Sequence, residues 1–128
     1  MPAYKIFIVD DDPQMCAVMT AWLTAAGHDV ASDTAGSTAL PQIGLQEPDA
    51  VLVDLMMAEV DGLEMIAELR AKKTSENAAI IMVSARTDGM WFDKASEAGA
   101  DDYLTKPLEQ KTFVENVERI IAGKIAED

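Results

Sequence analysis

Asp10, Asp11 and Asp12 stand together near the N-terminus, directly after a short apolar run. Asp54 follows a second apolar run, Ser84 a third, and Thr105, Lys106 and Pro107 a fourth. Each residue type has a job in one kind of chemistry. Carboxylates a few ångströms apart repel and raise each other's pKa unless a cation sits among them. Mg²⁺ suits such a site, because it takes one or two carboxylates, keeps waters and accepts phosphoryl oxygens. An aspartate carboxylate is a competent nucleophile toward phosphorus. Lysine supplies the point charge that a phosphoryl group attracts. Phosphoryl transfer is mostly positioning and charge neutralisation, so little else is needed.

Taken singly, each residue also has a plain role. Asp12 reads as a helix cap, Asp54 and Ser84 as turn formers, and Lys106-Pro107 as a bend. What sets them apart is their shared position. The chain alternates strand and helix patterns: strands over 4–9, 30–33, 50–53, 79–83 and 102–104, helices over 35–46, 63–72, 88–98 and 108–122. The first helix has Asp12 as N-cap and Pro13 at its first position, carries Met15, Val18, Met19, Trp22 and Ala26, and stops at Gly27. Pro41 is comfortable in the second helix only if that helix starts late. Such alternation predicts an α/β fold, a five-stranded parallel sheet with helices on both faces. Parallel strands put their carboxyl ends on one edge, where open α/β sheets bind ligands. Four of the five ends carry the residues above.

The 128 residues make one domain, 1–128, with no effector domain expected. Apolar residues are 49%, too many for a disordered chain. The longest apolar run, 78–83, is too short for a bilayer, and no secretory signal is visible. Lone Cys16 allows no internal disulfide, which fits a cytoplasmic protein. Ten bases against 23 acids leave a net charge of −13, so direct nucleic-acid binding and anionic membranes are disfavoured.

The segments "IFIVDDDP" (6–13), "PDAVLVDLMMAEVDG" (48–62), "IIMVSA" (80–85) and "AGADDYLTKPL" (98–108), in this order and spacing, resemble the receiver domains of two-component response regulators, the CheY-like superfamily. The resemblance covers essentially the whole chain. It implies the flavodoxin-like strand order 2-1-3-4-5. It implies Asp54 as phospho-acceptor from a sensor histidine kinase or phosphotransfer protein. Asp10, Asp11, Asp54 and the backbone carbonyl of Met56 would hold Mg²⁺. Ser84 would be the switch hydroxyl, Lys106 the phosphoryl-pairing lysine and Tyr103 the aromatic switch residue, with a cis bond to Pro107. The output surface would be the fourth helix, fifth strand and fifth helix, read by a downstream protein target.

Some residues depart from the family pattern or gain no role from it. Ala58 stands where proline is usual, which implies a softer loop. Trp91 either packs on the sheet or anchors a partner. Met56 and Arg86, two positions beyond Asp54 and Ser84, fall where family members tune aspartyl-phosphate hydrolysis. Cys16 reads as a packing or surface residue, and His28 as a turn residue. Three other functions compete. A multiple-turnover phosphohydrolase would carry a second aspartate where Met56 stands. A non-phosphorylated interaction module with a vestigial pocket would have no need of five cooperating polar residues. A flavin site lacks a Ser/Thr/Gly-rich phosphate loop after the first strand.

Overall fold

The apolar runs send side chains to alternate faces, and both faces are buried. Strand β1 (Lys5–Val9) turns Ile6 and Ile8 to one side of the sheet and Phe7 and Val9 to the other. Strands β3 (Ala50–Asp54) and β4 (Ala79–Ser84) do the same and are buried along their whole length. Burial on two faces is why these runs read as continuous rather than alternating. The computed structural model describes residues 3–55 and 61–127. Its sheet is parallel throughout, in the order β2-β1-β3-β4-β5, with β2 (Asp29–Asp33) and β5 (Asp102–Thr105) at the edges. This is the order that the resemblance implied.

Helices α1 (Pro13–Ala25) and α5 (Gln110–Glu127) cover one face, with Met19, Leu23, Phe113 and Val117 against Ile6, Ile8, Leu52 and Ile81. Helices α2 (Gly36–Gln46), α3 (Gly62–Ala71) and α4 (Gly89–Ala98) cover the other, with Ile43, Met65, Ile66 and Leu69 against Phe7, Val9, Val51 and Ile80. Each such side chain contributes about 1.5–3 kcal/mol when fully buried. By that measure α4 is weakly anchored: Ala95 is its one fully buried residue, while Met90 and Phe92 stay exposed.

Element ends differ from the sequence pattern where polar residues decide them. β3, β4 and β5 each run one residue past their apolar stretch, so Asp54, Ser84 and Thr105 occupy paired rungs. Asp54 pairs with Val83, and Ser84 with Thr105. Helix α2 does not start late enough to place Pro41 in its first turn. It begins at Gly36 and runs through the proline. Buried Ala39 and Ile43 hold the helix to the sheet, and Gln42 Nε2 donates to the Thr38 carbonyl at 3.0 Å. Helix α5 starts at Gln110 rather than Leu108, because the Glu109 carboxylate accepts the Lys111 and Thr112 N–H groups as a cap. It also continues past Gly123, to Glu127.

Two polar knots tie the layers together far from the strand ends that carry the acids. Arg70, in the last turn of α3, donates Nε to the Gly99 carbonyl (2.7 Å), Nη1 to Ala78 (2.6 Å) and Nη2 to Asp101 (2.6 Å). Gly99 has φ +119°, and a Cβ there would lie 2.6 Å from Arg70 Cγ, so glycine is required on both counts. His28 is the second knot, and no turn residue in the ordinary sense. Its ring is buried and stacked on Tyr4. Nδ1 accepts the Tyr4 N–H (3.1 Å), so the ring hydrogen belongs on Nε2, 2.8 Å from Glu118 of α5.

Removing that ring leaves a buried N–H and a carboxylate without their partner. His28→Ala is therefore expected to cost about 2–4 kcal/mol in urea unfolding. A loss below about 0.5 kcal/mol would show that His28 only fills space.

Candidate functional site

The carboxyl edge of the sheet gathers the residues that the strand ends placed there. One carboxylate oxygen from each of Asp10, Asp11 and Asp54 lies within 4.8 Å of the others. Asp10 and Asp54 are buried and Asp11 is exposed. Lys106 reaches in from the loop after β5, with Nζ 3.1 Å from Asp10 Oδ2 and 3.8 Å from Asp54 Oδ1. Three carboxylates and one ammonium sum to −2, a charge that favours a further cation. The donor set is all oxygen, it comes from three residues, and one side is open to water. That fits Mg²⁺. Met56, expected to add a backbone carbonyl, lies outside the described residues, as does Ala58.

The backbone positions each acid. The Asp10 N–H donates to the Asp33 carbonyl at the end of β2 (3.3 Å). Asp10 Oδ1 accepts the Asp12 N–H (3.0 Å), which leaves Oδ2 for Lys106. Asp12 accepts the Gln14 N–H at 2.9 Å and is the cap of α1, with Pro13 following it. Asp33 accepts from the Thr38 hydroxyl, the Ala35 N–H and Gln42 Nε2. Those donors, the Thr38 hydroxyl foremost, hold its carboxyl below the ordinary aspartate value.

Two supporting residues escaped the sequence reading. Gly62 opens α3 against the end of β3, where a Cβ would sit 2.5 Å from the Asp54 carbonyl oxygen and 2.9 Å from Leu55. Any side chain there would displace the backbone that carries Asp54. The motif contained this glycine, but only the fold shows what it meets. Cys16 is the other. Its buried thiol donates to the Asp10 carbonyl at 3.2 Å. A single cysteine on a helix carries no pattern that announces this contact.

Ser84 is buried at the end of β4, the strand next to that of Asp54, with Oγ accepting the Arg86 N–H at 3.1 Å. The Arg86 carbonyl in turn accepts the Tyr103 hydroxyl at 2.9 Å. Tyr103 packs edge-on against Phe92 of α4, with ring centroids 4.5 Å apart. The Lys106–Pro107 bond is cis. Trp91 is half-buried and packs on the second face of the sheet, with Arg86 and Lys94 against its ring.

Comparison with known proteins gives this arrangement its class. Residues 6–118 match the response regulator receiver domain family, and the chain belongs to it. The chain is 37% identical over 113 residues to the DNA-binding response regulator MtrA of Mycolicibacterium smegmatis, covering 88% of this chain and 48% of that protein. It is 35% identical over 109 residues to the transcriptional regulatory protein KdpE of Mycobacterium tuberculosis, covering 85% and 47%. It therefore spans about half the length of these curated relatives. Among solved structures it is similar to the BeF₃-activated receiver domain of RstA from Klebsiella pneumoniae, with a TM-score of 0.84 and 26% identity over 91% of this chain and 97% of that one. Receiver domains are phosphorylatable switches of two-component systems, bind Mg²⁺ at an acidic pocket and interact with histidine kinases. No helix of the described residues is long and apolar enough to cross a membrane.

Burial and the neighbouring Asp10 carboxylate push the Cys16 thiol up to about 11. An ordinary thiol near 9 is about one-tenth thiolate at pH 8, and this one about a thousandth. Native Cys16 is therefore expected to alkylate at least about 100-fold more slowly at pH 8 than in urea. Comparable rates would place the thiol at the surface.

Proposed function

We propose that Asp54 is the phospho-acceptor of this receiver domain, taking a phosphoryl group from a sensor histidine kinase or phosphotransfer protein. The observation that carries this is the buried Asp54 carboxylate at the end of β3, grouped with Asp10, Asp11 and the Lys106 ammonium. In the proposed step an Asp54 carboxylate oxygen attacks phosphorus and the P–N bond to the donor histidine breaks. The imidazole leaves with the bonding electron pair and takes up a proton from solvent. Lys106 pairs with the phosphoryl oxygens. Asp10 and Asp11, with Asp54 and the Met56 carbonyl, would hold Mg²⁺. That ion supplies neutralisation of the incoming phosphoryl charge. Phosphorylation and its reversal are self-catalysed, and the domain is otherwise a regulator.

The product carries about 1.5–2 new negative charges. Ser84 is the hydroxyl able to leave the Arg86 N–H for a phosphoryl oxygen. Its movement would disturb the Arg86 carbonyl that holds Tyr103, and so alter the surface of α4, β5 and α5 that a downstream protein target reads. Turning such a switch from mostly off to mostly on takes about 5.5 kcal/mol of differential stabilisation. Two charge-assisted hydrogen bonds at about 1.5–3 kcal/mol each reach that range. DNA binding is stated of full-length relatives such as MtrA. For residues 1–128, with a net charge of −13, we propose protein partners in place of nucleic acid or membrane. The same reading makes 1–128 one functional unit, acting in the cytoplasm.

Incubation with Mg²⁺ and a small acyl phosphate is expected to add one phosphoryl group to the intact mass of the wild type and none to Asp54→Asn, with EDTA abolishing the gain. No adduct would favour an interaction module with a vestigial pocket. An adduct on Asp54→Asn would place the acceptor elsewhere.

A further inference from the structure

The Arg86 guanidinium has no part in the proposed chemistry, although its backbone touches both Ser84 and Tyr103. The side chain is exposed, and among the described residues it makes no ion pair. Its carbon Cζ lies 5.9 Å from the centroid of the Trp91 ring, and Lys94 Nζ lies 4.9 Å from the same centroid. Two cations crowding one half-buried ring would drift apart without an attraction to the ring between them. Asp54 pairs in register with Val83, so Ser84 and the loop carrying Arg86 begin one strand away from the acids. Neighbouring strands are about 5 Å apart, a gap that an arginine side chain spans. The acid cluster, at a net −2, attracts any cation within that reach.

We propose that Trp91 is a positioning residue for the cation site. Its ring holds the Arg86 guanidinium away from Asp10, Asp11 and Asp54, and so leaves that cluster to Lys106 and a divalent ion. This rests on reading the cluster as a Mg²⁺ site. It gives Trp91 a role distinct from core packing and from partner binding. Without the ring, Arg86 swings toward the carboxylates and competes with the metal. Phenylalanine, which keeps an aromatic face, restores most of the restraint.

Calorimetric Mg²⁺ titration of the wild type, Trp91→Ala, Trp91→Phe, Arg86→Ala and the Trp91→Ala/Arg86→Ala pair tests this. Trp91→Ala is expected to bind Mg²⁺ about fivefold more weakly, as one added positive charge nearby would cause. Trp91→Phe should fall close to wild type, and the double variant should match Arg86→Ala alone. Wild-type affinity in Trp91→Ala would overturn the proposal. So would an equal loss with and without Arg86, because Trp91 would then act through the fold. If the wild type shows no saturable binding, the Mg²⁺ site itself is wrong and this role falls with it. Binding in the wild type that is absent in Asp54→Asn separates that failure from the other two.

Discussion

Lys106 Nζ stands 3.1 Å from Asp10 and 3.8 Å from Asp54, a single ammonium against three carboxylates that converge within 4.8 Å. Like charges at that spacing push apart, and two of the three acids are shielded from water. The arrangement persists because the backbone beneath it cannot yield. Asp54 is the last rung of a strand buried on both faces. Asp10 is tied to β2 by its N–H, to the turn by one carboxylate oxygen and to Cys16 by its carbonyl. Gly62 lets α3 close against β3 without lifting Asp54. The apolar sheet thus supports a polar edge that by itself opposes folding, as functional sites often do.

The same edge connects to a lightly anchored helix. Ser84, the Arg86 peptide, Tyr103 and Phe92 form a chain of direct contacts from the end of β4, the strand beside Asp54, to α4. Helix α4 has fewer fully buried residues than any other helix, Ala95 alone, so small changes in that chain meet little resistance there. By contrast, Arg70 locks the C-terminal end of α3 to the loops flanking β4 and β5, and His28 holds the middle of α5 through Glu118. Rigidity is concentrated where the layers must hold, and compliance lies next to the charge.

The sheet and its polar edge were legible because periodicity and strand-end position are local properties of the chain. Asp10, Asp11, Asp54, Ser84 and Lys106 could be placed together from topology alone, since parallel strands align their carboxyl ends. Asp12 was separable from its neighbours because Pro13 marks a helix start. What escaped depends on long-range contact. His28 gives no hint of Glu118, which is 90 residues away. Cys16 gives none of the Asp10 carbonyl, and Gly62 none of the backbone it approaches. Pro41 shows the limit of a local rule: the buried face of α2 outweighs the missing donor. Trp91 was ambiguous because its cationic neighbours come from a loop and from the next turn of its own helix.

The proposed switch depends on an acid cluster that is strained and cation-seeking. Urea unfolding of the wild type and Asp54→Asn, each with and without Mg²⁺, measures that strain directly. Mg²⁺ is expected to raise wild-type stability saturably and that of Asp54→Asn much less. An unfolding midpoint indifferent to Mg²⁺, or an equal rise in both proteins, would contradict that expectation.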